Sequence, residues 1–259
     1  MDLAYLPIED RAASLHAIDA AFDRIMAQIN KLPGVNAQRI AGGGGDTRIL
    51  ANADGVTVKI ETSPVMRGAI GEPRLMRTTD AVEDAFGFVA TNVLAFDDLY
   101  AGKLHAALDR QHPRDLFDVK LLYKNEGLTD DLFRVFLVYA ACSSRPMHEL
   151  LAPNEREIAE DFAREFAGMT AEPVNIDALL SARKRLIGDI QARLNGNAAD
   201  FLRTLQAGEP DFTLIDLPQA AELPAIKWKI LNLKKLMADN PDKHNAQTEA
   251  LATLIGENR

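Results

Sequence analysis

Lys103, Asp109, Arg110, Arg114, Asp115 and Asp118 lie within one stretch, residues 94–123, LAFDDLYAGKLHAALDRQHPRDLFDVKLLY. Three cations and three carboxylates are thus collected within a short span that holds two helical runs joined at His112–Pro113. Lys103 and Arg110 are seven residues apart and would share one face of a helix. Asp115 and Asp118 are three apart and would share a face of the next. Pro113 suits a first helical position, with Asp115 in the first turn at the positive end of the helix dipole. The plain alternative is a pair of amphipathic helices whose surface charges are ion-paired.

Lys59 and Glu61 form a second set. In a strand both leave one face, while Val58 and Ile60 point the other way. That is either the polar outer face of an antiparallel sheet or a catalytic carboxylate with a lysine beside it. The run GGGGDT at 42–47 is not a phosphate-binding loop, because no G-K-[ST] follows and no helix opens there. It reads as a hairpin turn. The five histidines make no metal-binding spacing, and neither a zinc pattern nor a nucleophile elbow is present. Cys142, in the apolar run VYAAC, reads as a small core residue. Lys227, Lys229, Lys234 and Lys235 around Trp228 read as a solvated helix face beside a core tryptophan, with an RNA-facing surface as the alternative.

The elements that must carry these groups follow from apolar periodicity. Of 259 residues, 47% are hydrophobic and 26% charged, which suits a globular chain with a sizeable core. The net charge of -9 argues against coating nucleic acid or an anionic membrane wholesale. A single cysteine precludes an internal disulfide and points to a reducing cytoplasm. No apolar run approaches the ~20 residues of a membrane span, and the start lacks the features of a signal peptide.

A strand tail at 1–6 precedes a helix over 10–31 with one buried stripe, Leu15, Ile18, Phe22, Ile25, Ile29 and Leu32. Strands are expected at 35–41, 48–51 and 56–61, the last two joined at Asp54–Gly55, a two-residue hairpin signal. A long loop is expected at 64–79 and a short strand at 86–91, followed by the two charged helices. From residue 128 the pattern is helical, with a last large helix opened by Pro224 and Trp228, Leu231 and Leu236 facing inward. The expected class is α+β: a mixed sheet with flanking helices over 1–127, then a helical bundle over 128–259.

The block K-L-x-A-A-L-x-R-x-x-x-R-D-L-F-D-V, from Lys103 to Val119, resembles the hallmark of the AbiEii/AbiGii toxin family of nucleotidyltransferases. The resemblance extends through most of the chain, including GEPDFTLIDLPQAAELPAIKWKILNL at 208–233. It implies the minimal nucleotidyltransferase fold of the polymerase-β superfamily in the first domain. It also implies a toxin of a toxin–antitoxin or abortive-infection system, which transfers a nucleotide from an NTP to RNA, tRNA foremost, or to protein, with Mg²⁺ and under a cognate antitoxin.

Residue by residue, the resemblance implies that Asp2 and Glu61 hold the metal. Lys59 and Lys103 would sit near the phosphates, with Lys103 catalytic beside the two acids. Arg110 and Arg114 would contact phosphate or clamp Asp118. Asp115 and Asp118 would orient Lys103 and Arg114 or edge the site. These groups are expected to converge on one magnesium–triphosphate pocket. D-L-x-Y-L-P-I-E-D-R at 2–11 matches the tail of the family's D-x-D strand, so Asp2 stands for the second aspartate. The first aspartate and the glycine turn would fall before Met1, so the chain as given is expected to be weak or inactive. The alternative is a non-catalytic remnant acting as a binding module.

Overall fold

The computed structural model describes residues 1–41 and 47–256. The turn expected at Gly42–Gly45 lies outside the described residues. Two compact units emerge, Met1–Ala69 with Glu222–Lys227, and Ile70–Ala221 with Trp228–Arg259.

The first unit is a four-stranded sheet with one helix packed on it. The strands are β1 (Asp2–Tyr5), β2 (Asn36–Ala41), β3 (Thr47–Ala53) and β4 (Val56–Arg67), in the order β1-β4-β3-β2. β1 runs parallel to β4, and the other pairs are antiparallel. The β3–β4 hairpin turns at Asp54 and Gly55, whose φ angles are 48° and 78°. A type I′ turn demands two such positive values in succession. Helix α1 (Arg11–Ile29) starts at Asp10, whose side chain accepts from the Ala13 N–H at 2.9 Å, the usual way to satisfy a first-turn donor. Ile18 and Phe22 bury against Ala37, Ile49 and Ile60 on one face of the sheet. Ile49 and Ile60 are paired across the two strands, so Arg48, Lys59 and Glu61 are turned to the opposite face. Leu32, expected in the α1 stripe, is exposed beyond the helix end.

The second unit opens with a small two-stranded sheet, β5 (Arg74–Arg77) against β6 (Ala90–Val93), with α2 (Asp80–Phe86) between them. The expected loop at 64–79 is therefore partly strand, and the expected strand at 86–91 begins only at Ala90. Gly87, at φ 86°, caps α2 in a backbone conformation that glycine adopts most readily, and so breaks the strand-like alternation. Among the described residues nine α-helices follow: α3 (Phe96–Asp109), α4 (Pro113–Asn125), α5 (Asp130–Ala141), α6 (Met147–Leu151), α7 (Ala159–Glu165), α8 (Ile176–Ala192), α9 (Gly196–Gln206), α10 (Pro224–Asp239) and α11 (Pro241–Gly256).

α3 packs on α5, and α4 packs on α8. Leu104, Leu116, Leu122, Phe136, Leu186 and Phe201 are fully buried in this helical core. By packing, the charged helices share their core with the helical half, and the two units divide after Ala69.

Asp98 fixes the start of α3. It is buried and accepts from the Ile70 and Gly71 N–H groups at 2.8 and 2.7 Å and from the Tyr139 hydroxyl at 3.0 Å. Burial, with the nearby Asp98 charge, pushes the Tyr139 phenol up.

Two expectations for the last helices need correction. Trp228 and Leu231 are 60% and 61% exposed rather than inward. The inward positions are Ile226, Lys229 and Leu233, so Lys229 does not belong to a solvated face. Its Nζ donates to the Ser143 and Arg145 carbonyls, both at 2.8 Å, beyond the end of α5. Burial pushes the Lys229 amine down to about 8 and the Cys142 thiol up to about 12. A further helix, α11, follows the one expected to be last. It restarts at Pro241, with the Asn240 side chain accepting from the Lys243 N–H.

Two variants test this packing. Phe22→Ala should cost about 3–5 kcal/mol in denaturant unfolding, as a buried aromatic lost from under a sheet. Gly71→Ala should destabilise by about 1–3 kcal/mol. The physical reason is that an added Cβ would sit 2.7 Å from the Ala95 Cβ.

Candidate active site

The first unit gathers Asp2, Lys59 and Glu61. Asp2 on β1 and Glu61 on β4 are register partners on adjacent parallel strands, so their side chains share the sheet face away from α1. Backbone bonds at the start of β1 tie it to β4 as well. The Met1 ammonium donates to the Lys59 carbonyl at 2.6 Å, and the Glu61 N–H donates to the Met1 carbonyl at 3.0 Å. Glu61 also meets Lys59 Nζ at 2.7 Å and Arg48 Nε at 3.1 Å. These cations hold its carboxyl below the ordinary range, Lys59 chiefly, with burial pulling the other way and Arg48 and the amino terminus adding to the fall. Asp2 is exposed.

Arg48 joins this site although the sequence did not single it out. Counting outward from the Asp54–Gly55 turn places it opposite Glu61, so the hairpin signal contained it.

Among the described residues, no group of three or more His, Cys, Asp or Glu is placed to hold a metal ion. Mg²⁺ asks for less. It keeps several waters and is commonly held by one or two carboxylates together with substrate phosphates. Two carboxylates on paired positions of adjacent strands fit that donor set. The lowered Glu61 pKa keeps it in the ligating form at neutral pH.

The second unit gathers the helix-borne set. Lys103 on α3 meets Asp118 on α4 at 2.6 Å, both about one-third exposed. Arg110, the residue closing α3, grips Asp115 with two parallel bonds, Nε to Oδ2 at 2.7 Å and Nη2 to Oδ1 at 2.8 Å. Asp115 is buried while the guanidinium is 65% exposed. Asp118 is therefore clamped by Lys103, and the arginine clamp falls on Asp115. Arg114 is exposed on the first turn of α4.

His112 caps that helix, a role its sequence position alone did not suggest. Its Nδ1 accepts from the Arg114 N–H at 3.2 Å. Nε2 therefore carries the proton in the neutral ring and faces Glu165 at 3.1 Å.

A cavity of about 210 Å³ also lies in this unit, lined by Asp97, Asp98, Asp131, Arg134 and Asp216 among others. It takes in none of the residues the sequence singled out. Burial, with Asp131 and Asp98 nearby, pushes the Asp97 carboxyl up.

The fold is similar to one already solved for a nucleotidyltransferase toxin. MenT4, a nucleotidyltransferase toxin from Mycobacterium tuberculosis H37Rv, matches with a TM-score of 0.57 at 14% identity, over 90% of this chain and 77% of that one. No curated protein matches the sequence. The profile of the family described as "Nucleotidyl transferase AbiEii toxin, Type IV TA system" matches residues 1–230, and the chain belongs to that family. It is thus a nucleotidyltransferase toxin of a toxin–antitoxin system, a class that implies an antitoxin partner and an NTP substrate. Among the described residues, no helix is long and apolar enough to cross a membrane.

The charge state of Glu61 can be read through stability. A carboxyl with a lowered folded pKa adds stability above its unfolded value and loses it as pH falls through the folded one. Wild-type unfolding midpoints should therefore drop as pH falls below the ordinary value of 4.5. In Glu61→Gln that drop should be shallower. Identical acid profiles would show that the Lys59 and Arg48 contacts carry no weight.

Proposed function

We propose that this toxin moves a nucleotide from a magnesium-bound NTP onto an RNA acceptor, tRNA foremost, or onto a protein, in the cytoplasm and under the restraint of a cognate antitoxin. The observation that carries this reading is the register pairing of Asp2 with Glu61 on one sheet face, with Lys59 alongside.

Transfer joins the acceptor's hydroxyl oxygen to the α-phosphorus, breaks the bond to the bridging oxygen, and releases pyrophosphate and a proton. It asks the protein mainly for position and for compensation of charge. Asp2 and Glu61 would hold Mg²⁺, which offsets phosphate charge. Lys59 offers an ammonium group beside the two acids, and within the second unit Lys103 and Arg114 offer cations that suit phosphate oxygens. Asp118 orients Lys103, and Asp115 orients Arg110, through the ion pairs described above.

One observation favours a second reading, a non-catalytic binding module. Glu61, the acid best placed to ligate, is already engaged by two cations. A metal would have to share the two Glu61 oxygens with them.

Labelling of bulk tRNA with each of the four radiolabelled NTPs and Mg²⁺ separates the two readings. Turnover by wild type is expected to fall about 10²–10³-fold in Glu61→Gln and in Lys103→Ala, with circular dichroism unchanged. Activity untouched by both substitutions would discard this site. Absence of labelling in wild type, on RNA and on protein acceptors alike, would favour the binding module.

A further inference from the structure

Resting on the transferase reading, we infer that Gln111 and Arg183 are positioning residues that set the α3–α4 corner and so aim Arg110, held by Asp115, and Arg114 at the phosphates.

Only Arg110, Gln111 and His112 separate the two helices. Gln111 is buried and takes a φ of 52°. That left-handed conformation carries a steric cost for any side chain beyond glycine's. Glycine would take this backbone freely. The glutamine side chain, however, makes three hydrogen bonds that glycine cannot. Its Nε2 donates to the Asn154 carbonyl at 2.8 Å, and its Oε1 accepts from the Arg156 N–H at 3.0 Å and from Arg183 Nη1 at 3.1 Å.

Arg183, buried on α8, completes the clamp. Nη1 also donates to the Arg156 carbonyl at 2.7 Å, and Nη2 donates to Glu155 at 2.7 Å. Arg156 closes the ring by donating from Nη1 to the Arg110 carbonyl at 2.7 Å. A helix far along the chain therefore dictates the backbone where Arg110 leaves α3 and Arg114 enters α4. The Arg183 guanidinium shares its bonds between a glutamine, a backbone carbonyl and a carboxylate. A lysine cannot reproduce that planar fork.

Two variants test the clamp, Gln111→Gly, which relieves the backbone and deletes the three bonds, and Arg183→Lys, which keeps the charge. Hydrogen exchange at the amides of Asp115 and Leu116, which bond to the His112 carbonyl, is expected to quicken at least tenfold in both. Phe136, in the core of α5, should exchange as in wild type. The Michaelis constant for the NTP should rise about tenfold with kcat within about twofold, as for lost ground-state contacts. Wild-type exchange at the corner, or quickened exchange with an unchanged Michaelis constant, would overturn the positioning role. Absence of turnover in wild type would instead sink the transferase reading, and it is seen before either variant is made.

Discussion

Two ion pairs across one tight helical corner are what the rest of the charged site depends on. Lys103 reaches from α3 to Asp118 on α4, and Arg110 folds over the corner onto Asp115. The second pair is asymmetric, with its carboxylate buried and its guanidinium open to water. A buried carboxylate without a partner is strongly disfavoured, so Asp115 holds Arg110 in place more firmly than a surface contact would. The cost is moderated because the pair is bidentate and because Asp115 lies in the first turn of α4, facing the positive end of the helix. The outer side of the guanidinium stays at the surface, where an anion can approach it. Charge clusters of this kind are usually solvated and weak, and burial of one member makes this one directional.

The sheet solves a parallel problem by different means. Period-two alternation puts Ile49 and Ile60 under α1 and delivers Arg48, Lys59 and Glu61 to the other face without further instruction. Pairing in register then adds Asp2 from the parallel strand. Acids gathered this way would repel one another if nothing intervened. Arg48 and Lys59 relieve that repulsion and also occupy the carboxylate that a metal would need. The same two side chains can therefore be seen as stabilising the resting sheet and as competing with an incoming cation.

Much of this is legible in the sequence because it rests on local rules. The Asp54–Gly55 turn, the α1 stripe and the proline opening α4 each follow from backbone preference or from spacing. The Lys103–Asp118 pair needs only the faces of two neighbouring helices. What escapes depends on distant partners. Gln111 looks ordinary until the Asn154–Arg156 segment and α8 are packed against it, and no spacing within the helical block indicates that. Lys229 looks solvated because its neighbours in sequence are lysines, yet the ends of other elements supply its acceptors. Trp228 misleads for the converse reason. A large aromatic ring is usually well covered, and here the helix turns it outward.

The buried ammonium of Lys229 gives the fold an unusual response to alkali. In an unfolded chain this amine keeps its proton up to the ordinary lysine value of 10.5, whereas in the folded chain it releases it near 8. Between those two values the unfolded chain holds a proton on this amine that the folded chain has released, so the Lys229 contribution favours the native state as pH rises; above the ordinary thiol value of 9.0 the raised Cys142 thiol contributes with the opposite sign. At neutral pH the charge is retained, and two carbonyl oxygens serve it in place of water.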